Sequence, residues 1–112
     1  MSDQDQNVVK PAEVKQLVEL LQYQDSSIVS RVLLKNKGGT VTLFAFDVGE
    51  GLSEHTAPFD ALVVVTDGEA EVEIAGESFK VRQGETIILP ANQPHAVKAT
   101  TKFKMILIMI RA

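Results

Sequence analysis

The sequence predicts an all-β protein, a sandwich or barrel of short antiparallel strands preceded by one short helix. Two observations support this prediction. From residue 28 onwards, apolar runs are separated by turn residues roughly every 8–12 positions, the spacing of β-sandwiches and barrels. Within several of these runs apolar and polar residues alternate, as in a strand with one buried face. With 112 residues, the chain has the length of one domain with one core.

The N-terminal part is predicted to contain a flexible tail and the helix. Residues 1–10 are polar and bury too little surface to offset the entropy of ordering, so we expect one domain over 11–112. Apolar residues between Val14 and Leu21 recur at i, i+3, i+4 and i+7. This pattern predicts an amphipathic helix over about 12–22 that lies on the barrel wall. A coil making the same contacts is the alternative.

The predicted strands follow in chain order. The run from Ala61 to Val65 is apolar throughout, which indicates a strand buried on both faces. The last strand is apolar on both faces too. One face would fill the barrel, and the other would need the N-terminal helix or a second subunit, because a long bare apolar surface is rare on monomers. The expected strands are 28–34, 41–48, 61–66, 69–74, 79–82, 86–89, 95–99 and 103–111.

The clearest local prediction is a hairpin that follows residues 67–68. Pairing Ile74 with Phe79 places Glu73 opposite Lys80, and the alternating glutamates of this strand then face basic residues. The glutamate row is therefore interpreted as a solvated, salt-paired surface and not as a metal or acid–base site.

The composition excludes several classes of protein. The net charge is −4 and no basic cluster is present, which argues against a nucleic-acid partner. The chain has no cysteine, so disulfides and zinc–thiolate sites are excluded. The longest apolar run, Met105–Ile110, is too short to cross a bilayer, and the polar, acidic N-terminus is unlike a secretory signal. We therefore expect a cytoplasmic protein with no nucleic-acid or membrane partner.

Both histidines lie in one stretch that is punctuated by glycines and prolines. A glycine stands six positions before the first histidine, and a Gly-x5-Pro segment precedes the second. This stretch resembles the two signature motifs of the cupins, with motif 1 at 49–68 and motif 2 at 84–99. In that family, motif 1 contains His-x-His and then an acid, and motif 2 contains a proline and then a histidine. The matching residues here are Gly49, His55, Gly68, Gly84, Pro90 and His95.

The resemblance also shows what this chain lacks. Ala57 stands where the family has the second histidine of His-x-His, and the acid falls on Ala61. Half of the usual metal-binding set is therefore absent. The resemblance implies an antiparallel jelly-roll β-barrel in which His55 and His95 meet in the interior, and it implies a homodimer.

A metal site would need a further ligand. A divalent ion such as Fe, Mn, Ni or Zn usually takes three or four protein ligands. Asp60 is the nearest carboxylate to the vacated acid position, so the candidate metal set is His55, His95 and Asp60. In a regular strand Asp60 would point to the side opposite His55, Ala57 and Ala61, so the chain would have to deviate there for its carboxylate to turn inward. Other candidates for lining a ligand pocket are Phe44, Phe46, Asn92 and Met105.

Three kinds of function remain open. The two alanines favour a small-molecule binding or sensing module without metal. The alternative is a metal-dependent enzyme of the dioxygenase or isomerase type that uses His55, His95 and Asp60. A metal-free acid–base enzyme is less favoured, because the only tyrosine, Tyr23, falls in the predicted helix. After the binding module and the metal-dependent enzyme, the third kind that remains open is an accessory protein whose pocket is filled by side chains.

Overall fold

The structure, a computed structural model, describes residues 9–111, so residues 1–8 of the expected tail lie outside the described residues. Within that range the only helical element is one 3-10 turn at Leu17–Glu19, far too short to span a bilayer. The strands are β1 (Ile28–Asn36), β2 (Gly39–Phe46), β3 (Gly51–His55), β4 (Ala61–Ile74), β5 (Glu77–Arg82), β6 (Thr86–Leu89), β7 (His95–Lys98) and β8 (Phe103–Ile110).

The strands form two antiparallel sheets that share β4. The first sheet has the order β1-β2-β8-β4-β6, and the second has the order β5-β4-β7-β3. Side chains from both sheets fill one interior, where Phe46 stacks on Phe103 with 4.5 Å between ring centroids. The predicted all-β antiparallel barrel is therefore confirmed.

Strand β4 turns the corner between the two sheets at Gly68. The sequence predicts a break at residues 67–68, but the structure shows one continuous strand with a bulge between Val65 and Asp67. Gly68 has a φ of +73°, and a Cβ at this position would lie 2.1 Å from the carbonyl oxygen of Lys102. Only glycine fits a left-handed backbone so close to another chain segment. The glycine therefore bends β4 and does not end it.

The predicted hairpin is present as β4–β5, but its register is wrong by two residues. Ala75 and Gly76 have φ angles of 50° and 84°, which are typical of a two-residue type I′ turn. Ile74 therefore pairs with Glu77 instead of Phe79. A shift of two residues leaves each side chain on its predicted face. The glutamates of β4 still point outward, and two of them form ion pairs with basic side chains.

The predicted helix over 12–22 is wrong. Ala12 has a φ of 59°, and Gln16 is extended with φ −78° and ψ 113°, so helical geometry begins only at Leu17. Isolated segments of this length do not offset the cost of helix nucleation, so contacts with the sheet decide the conformation. The segment 9–27, hereafter the N-terminal arm, is an extended chain interrupted by the 3-10 turn and by turns at 11–12 and 25–26.

Three contacts hold the N-terminal arm on the outer face of the first sheet. The Lys104 ammonium donates a hydrogen bond to the carbonyl oxygen of Val18 at 2.7 Å, which leaves Lys104 only 6% exposed. The Tyr23 hydroxyl donates to an Asp67 carboxylate oxygen at 2.6 Å. Leu21 is buried in a small apolar cluster with side chains of β2. The arm therefore covers part of the apolar outer face of β2 and β8.

Candidate small-molecule site at a histidine pair

Strand β3, which the sequence does not predict, lies at the edge of the second sheet beside β7. Gly51 permits their close approach, because a Cβ there would lie 2.4 Å from the carbonyl oxygen of Val97. Two backbone hydrogen bonds fix the entry to β3: Gly49 donates to Ala99 at 2.8 Å, and Ala99 donates to Glu50 at 2.9 Å. The glycines around residue 50 are therefore needed to place β3.

This pairing brings the two histidine side chains into contact. His55 and His95 are antiparallel partners in the β3–β7 ladder. Their Nε2 atoms lie 3.2 Å apart, and the ring centroids are 4.4 Å apart in an edge-to-face arrangement. The structure thus joins two residues that are 40 positions apart in the chain. His55 is exposed at the mouth and only His95 is buried, whereas the sequence places both in the interior.

The outer nitrogen of each ring faces a backbone carbonyl. Nδ1 of His55 is 2.7 Å from the oxygen of Ser53, and Nδ1 of His95 is 3.1 Å from the oxygen of Gln93. A carbonyl oxygen only accepts hydrogen bonds, so both Nδ1 atoms carry the proton. In two neutral rings the facing Nε2 atoms would then both present lone pairs. This contact is satisfied only by a proton, a cation or a ligand donor between them.

The surroundings of His95 keep that ring neutral. Burial lowers the pKa of His95, the charge of a protonated His55 lowers it further, and the carbonyl of Gln93 offsets only part of this effect. His95 is therefore an unfavourable place for a positive charge.

An apolar cavity of about 40 Å³ adjoins the pair. A space of that size holds a few water molecules, since one water needs about 10–15 Å³ on this scale. The two imidazoles are its only polar side chains, so an apolar ligand body would contact the rest of the wall. The lining residues are Leu52, His55, Ala57, Phe59, Ala61, Leu89, His95, Val97, Met105, Leu107 and Met109.

Several lining residues match positions named from the sequence. Ala57 and Ala61, which replace the family's histidine and acid, both face this cavity, and so does Met105. Sequence reasoning missed Phe59, which follows a proline in the β3–β4 loop and has the Arg111 guanidinium 5.9 Å from its ring centroid. No local pattern marks Phe59, because its position depends on how that loop folds over the barrel.

The structure does not bring Asp60 or Asn92 to the histidine pair. The Asp60 carboxylate accepts a hydrogen bond from the backbone of Ala91 at 2.8 Å, and the backbone of Asn92 donates to the carbonyl of Ala57 at 2.7 Å. Both residues therefore tie the β3–β4 loop to the β6–β7 loop. Asn92 has a φ of 65°, which asparagine tolerates better than most residues, so its role is that of a turn residue.

The aromatic candidates Phe44 and Phe46 also lie away from the histidines. The Phe44 ring stacks on Phe46 with 5.7 Å between centroids, and Phe46 in turn stacks on Phe103. These rings fill the interior beside one another and do not line the cavity. Tyr23 lies on the outer face with the arm, bound to Asp67, and is not available as an acid or base in the pocket.

The donor set fits a metal ion only in part. Two nitrogens 3.2 Å apart, each about 2.0–2.1 Å from an ion, would subtend an angle of about 100°. Their Nδ1–H groups are bound to carbonyls, as is usual for metal-binding histidines. Within residues 9–111, however, no group of three or more His, Asp or Glu side chains is arranged to hold a metal. The expected set of His55, His95 and Asp60 does not assemble.

The fold and the site together define the class of protein. It is a single antiparallel β-barrel with a pair of histidines at the mouth of a small apolar cavity. Residues 42–111 match the model of the cupin domain family, which is well over half of the chain. The chain belongs to the cupin family. No curated protein matches the sequence.

Similar solved structures support this assignment. The SPY1581 protein of Streptococcus pyogenes, of unknown function, is 32% identical, with 95% of this chain and 93% of that chain covered and a TM-score of 0.89. A cupin 2 conserved barrel domain protein from Leptotrichia buccalis is 45% identical, with a TM-score of 0.81. That match covers 84% of this chain but only 46% of the other. A cupin superfamily protein from Desulfitobacterium hafniense, 23% identical with a TM-score of 0.88 and coverage of 95% and 97%, shares the fold.

Proposed function

We propose that this cupin binds a small organic molecule at the cavity beside His55 and His95. The observation that carries the proposal is the facing pair of Nε2 atoms, 3.2 Å apart, in an otherwise apolar wall. Ligand sites are typically apolar pockets in which a few polar groups fix the orientation of the ligand. The imidazole pair would supply those groups here.

The charge of the pair favours a particular class of ligand. One proton held between the two Nε2 atoms would make the pair cationic, and the cavity wall offers no carboxylate to neutralise it. A small carboxylic acid with an apolar body matches both parts of the site. Its own proton would pass to an Nε2 atom of the pair, and the resulting carboxylate would accept a charge-assisted hydrogen bond from that Nε2–H group. Its apolar part would contact Leu89, Leu107 and Met109.

The size of the cavity limits how such a ligand enters. About 40 Å³ is far below the roughly 300–1,000 Å³ of pockets that enclose drug-sized molecules. A ligand would therefore bind as a small fragment or displace Phe59 and the methionines. Methionine side chains adapt readily to such a change in shape. Phe59 lies on a loop at the mouth, so its displacement does not disturb a strand.

The proposal is tested by titrating the protein with short-chain carboxylic acids and with the amides of the same carbon skeletons, followed by protein NMR. We expect the acids to perturb cavity residues and to bind at least about tenfold more tightly than the amides, a difference of about 1.4 kcal/mol. His55→Gln and His95→Gln should abolish the preference for the acid. Asn92→Gly, which keeps the positive φ and lies outside the cavity, should retain it. Equal affinity for acids and amides would contradict the proposal.

A metal-dependent enzyme is the second candidate, because both Nε2 lone pairs converge and both Nδ1–H groups are fixed by carbonyls. His55 and His95 would hold the ion, and the remaining positions would fall to water or substrate. A divalent ion there would polarise a bound carbonyl or activate bound water. Elemental analysis after metal supplementation separates the two candidates. Stoichiometric metal that is lost in both His55→Ala and His95→Ala favours the enzyme.

A further inference from the structure

The ring of Phe59 closes the cavity on the side of the β3–β4 loop. Of the residues that line the cavity, only Ala57 and Phe59 lie outside the strands. Ala57 carries a methyl group, so Phe59 is the large side chain of the wall that no strand holds. It is half-buried, and the exposed Arg111 guanidinium lies over its ring. A movement of this ring would open the cavity without disturbing a strand.

The backbone on both sides of Phe59 is held in place. The carbonyl of Ala57 accepts a hydrogen bond from a backbone amide of the β6–β7 loop at 2.7 Å. The carboxylate of Asp60 accepts another from the same loop at 2.8 Å. Between these two points the ring of Pro58 fixes its own φ angle and restricts the residue before it. Movement of the Phe59 ring is therefore a change of side-chain rotamer and not a movement of the whole loop.

Arg111 is fixed beside the ring by the backbone at the end of β8. Its amide donates a hydrogen bond to the carbonyl of Gly38 at 2.8 Å, and the amide of Ile110 donates to the carbonyl of Asp60 at 3.3 Å. Within residues 9–111 Arg111 forms no ion pair, and its guanidinium lies 5.9 Å from the centroid of the Phe59 ring. A cation over an exposed ring favours that position by a factor of about two to five.

We propose that Phe59 is a gate that selects ligands by the size of their apolar body, and that Arg111 is a positioning residue that holds the gate closed. This inference rests on the proposed function, because it concerns which ligands the cavity admits. A molecule small enough for the closed cavity of about 40 Å³ binds without moving the ring. A larger molecule binds only to the form in which the ring has turned away.

The cost of turning the ring is paid only by larger ligands. A minor conformation is commonly populated at about 0.1–10%. The apparent Kd of a ligand that needs this conformation is raised by the reciprocal of its population, which is at least about tenfold. The Kd of a small ligand is not changed. The gate therefore predicts a preference for small ligands that depends on Phe59 and Arg111 and not on the charge of the ligand.

Titration with acetamide and benzamide tests the gate, since both are uncharged and they differ in the size of the apolar body. Protein NMR of the Met105 and Met109 methyl groups, which lie on the cavity wall, follows their binding. In Phe59→Ala the affinity for benzamide should rise at least about tenfold, while that for acetamide changes by less than about twofold. Phe79→Ala is the matched control, because Phe79 is a half-buried phenylalanine of β5 outside the cavity wall, and it should change neither affinity.

Variants of Arg111 test its part without changing the cavity wall. Arg111→Gln should raise the affinity for benzamide about two- to fivefold and leave that for acetamide unchanged, because only benzamide needs the open ring. Arg111→Lys keeps a cation and should return the affinity for benzamide toward that of the unmodified chain. An unchanged affinity for benzamide in Arg111→Gln, or an equal gain in Arg111→Lys, would reject the role of Arg111.

The gate itself would be rejected if benzamide gained nothing in Phe59→Ala, if acetamide gained as much, or if Phe79→Ala gave the same gain. Circular dichroism checks folding. If Phe59→Ala does not fold, Phe59→Val decides the question, since it should give a smaller gain in the same direction. Acetate and benzoate separate this result from the proposed function. Equal affinity for acids and amides contradicts the proposed ligand class, whereas the size preference is measured on the amides alone.

Discussion

His55 and His95 are directly opposite each other on antiparallel strands, and their Nε2 atoms are 3.2 Å apart while both Nδ1 atoms face carbonyl oxygens. The backbone thus fixes the tautomer of each ring and forces two acceptor nitrogens together. While both rings are neutral, that contact needs a proton, a metal ion or a hydrogen-bond donor of the ligand; a carboxylic acid supplies the proton itself. This constraint connects the proposed ligand, the metal alternative and two of the predictions below.

Restoring a third imidazole should convert the site into a metal centre. Ala57 lines the cavity beside the histidine pair, so Ala57→His places a third nitrogen within reach of the same point. We expect Ni²⁺ or Zn²⁺ to bind about tenfold more tightly or better than to the unmodified chain, since structural and catalytic sites usually have at least three protein ligands. Calorimetric titration measures the change. Asn92→His adds a histidine outside the cavity and should leave the Kd unchanged; an equal gain there would contradict the prediction.

The buried ring should make stability depend on pH. The pKa of His95 is lowered in the folded state, chiefly by burial, whereas an unfolded histidine titrates near about 6.5. As the pH falls below that value, the unfolded chain takes up a proton that folded His95 does not, so the free energy of unfolding decreases. Above it both states are neutral and this contribution is constant. Urea denaturation across this range, with a chelator present, should show a shallower slope for His95→Gln. An unchanged slope would mean that His95 is not the group responsible.

The corner of β4 should be far less tolerant of a side chain than other glycine turns. Gly68 and Gly84 have φ angles of 73° and 85°, so alanine costs each about 1–2 kcal/mol of left-handed strain. At Gly68 the new Cβ would also lie 2.1 Å from the carbonyl oxygen of Lys102, while nothing lies within 4 Å at Gly84. We expect Gly68→Ala to lower the free energy of unfolding by more than about 3 kcal/mol and Gly84→Ala by about 1–2 kcal/mol. Equal losses would show that the clash is relieved by small shifts.

Tyr23 should titrate only in strongly alkaline solution. Burial raises its pKa, and the hydrogen bond to the Asp67 carboxylate and the charge of that group raise it further. An unfolded tyrosine ionises near about 10, so the stability from this group is present below that pH and is lost as the pH rises above it. Tyr23 is the only tyrosine and the chain has no tryptophan, so ultraviolet absorption reports on it alone.

Two variants test the origin of that shift. Asp67→Asn should move the absorption midpoint back toward the ordinary tyrosine value, because it removes the carboxylate charge. Tyr23→Phe should lower the free energy of unfolding by about 1.5–3 kcal/mol, as expected for losing a hydrogen bond to a charged group. A midpoint near about 10 in the unmodified chain would show that the arm is not held on the sheet.

The sequence by itself determined the strands and the family. Alternation and turn residues depend on neighbours within a few positions, so β1, β2, β6, β7 and β8 were predictable, and two glycine-rich motifs identified the cupin barrel. The structure places Ala57 and Ala61, named from the resemblance to the cupin motifs, on the cavity wall with Met105. The local pattern also predicted on which face of the β4–β5 hairpin each side chain lies, although the predicted register was wrong. A shift of two residues leaves every side chain on the same face.

Only the tertiary structure decided the conformation of the N-terminal arm, the bend of β4 at Gly68 and which residues line the cavity. The periodic pattern between Val14 and Leu21 reflects contacts with a sheet and not a helix. From its neighbours in the sequence Gly68 is predicted to form a turn between two strands. In the structure it packs against the backbone of Lys102 and is the bend of one continuous strand. The sequence analysis names Asp60 as the residue that turns inward, but Phe59 lines the cavity instead. Loop contacts of Asp60 with Ala91 and of Phe59 with Arg111 decide which side chain faces the cavity. Such long-range contacts have no signature in the order of residues.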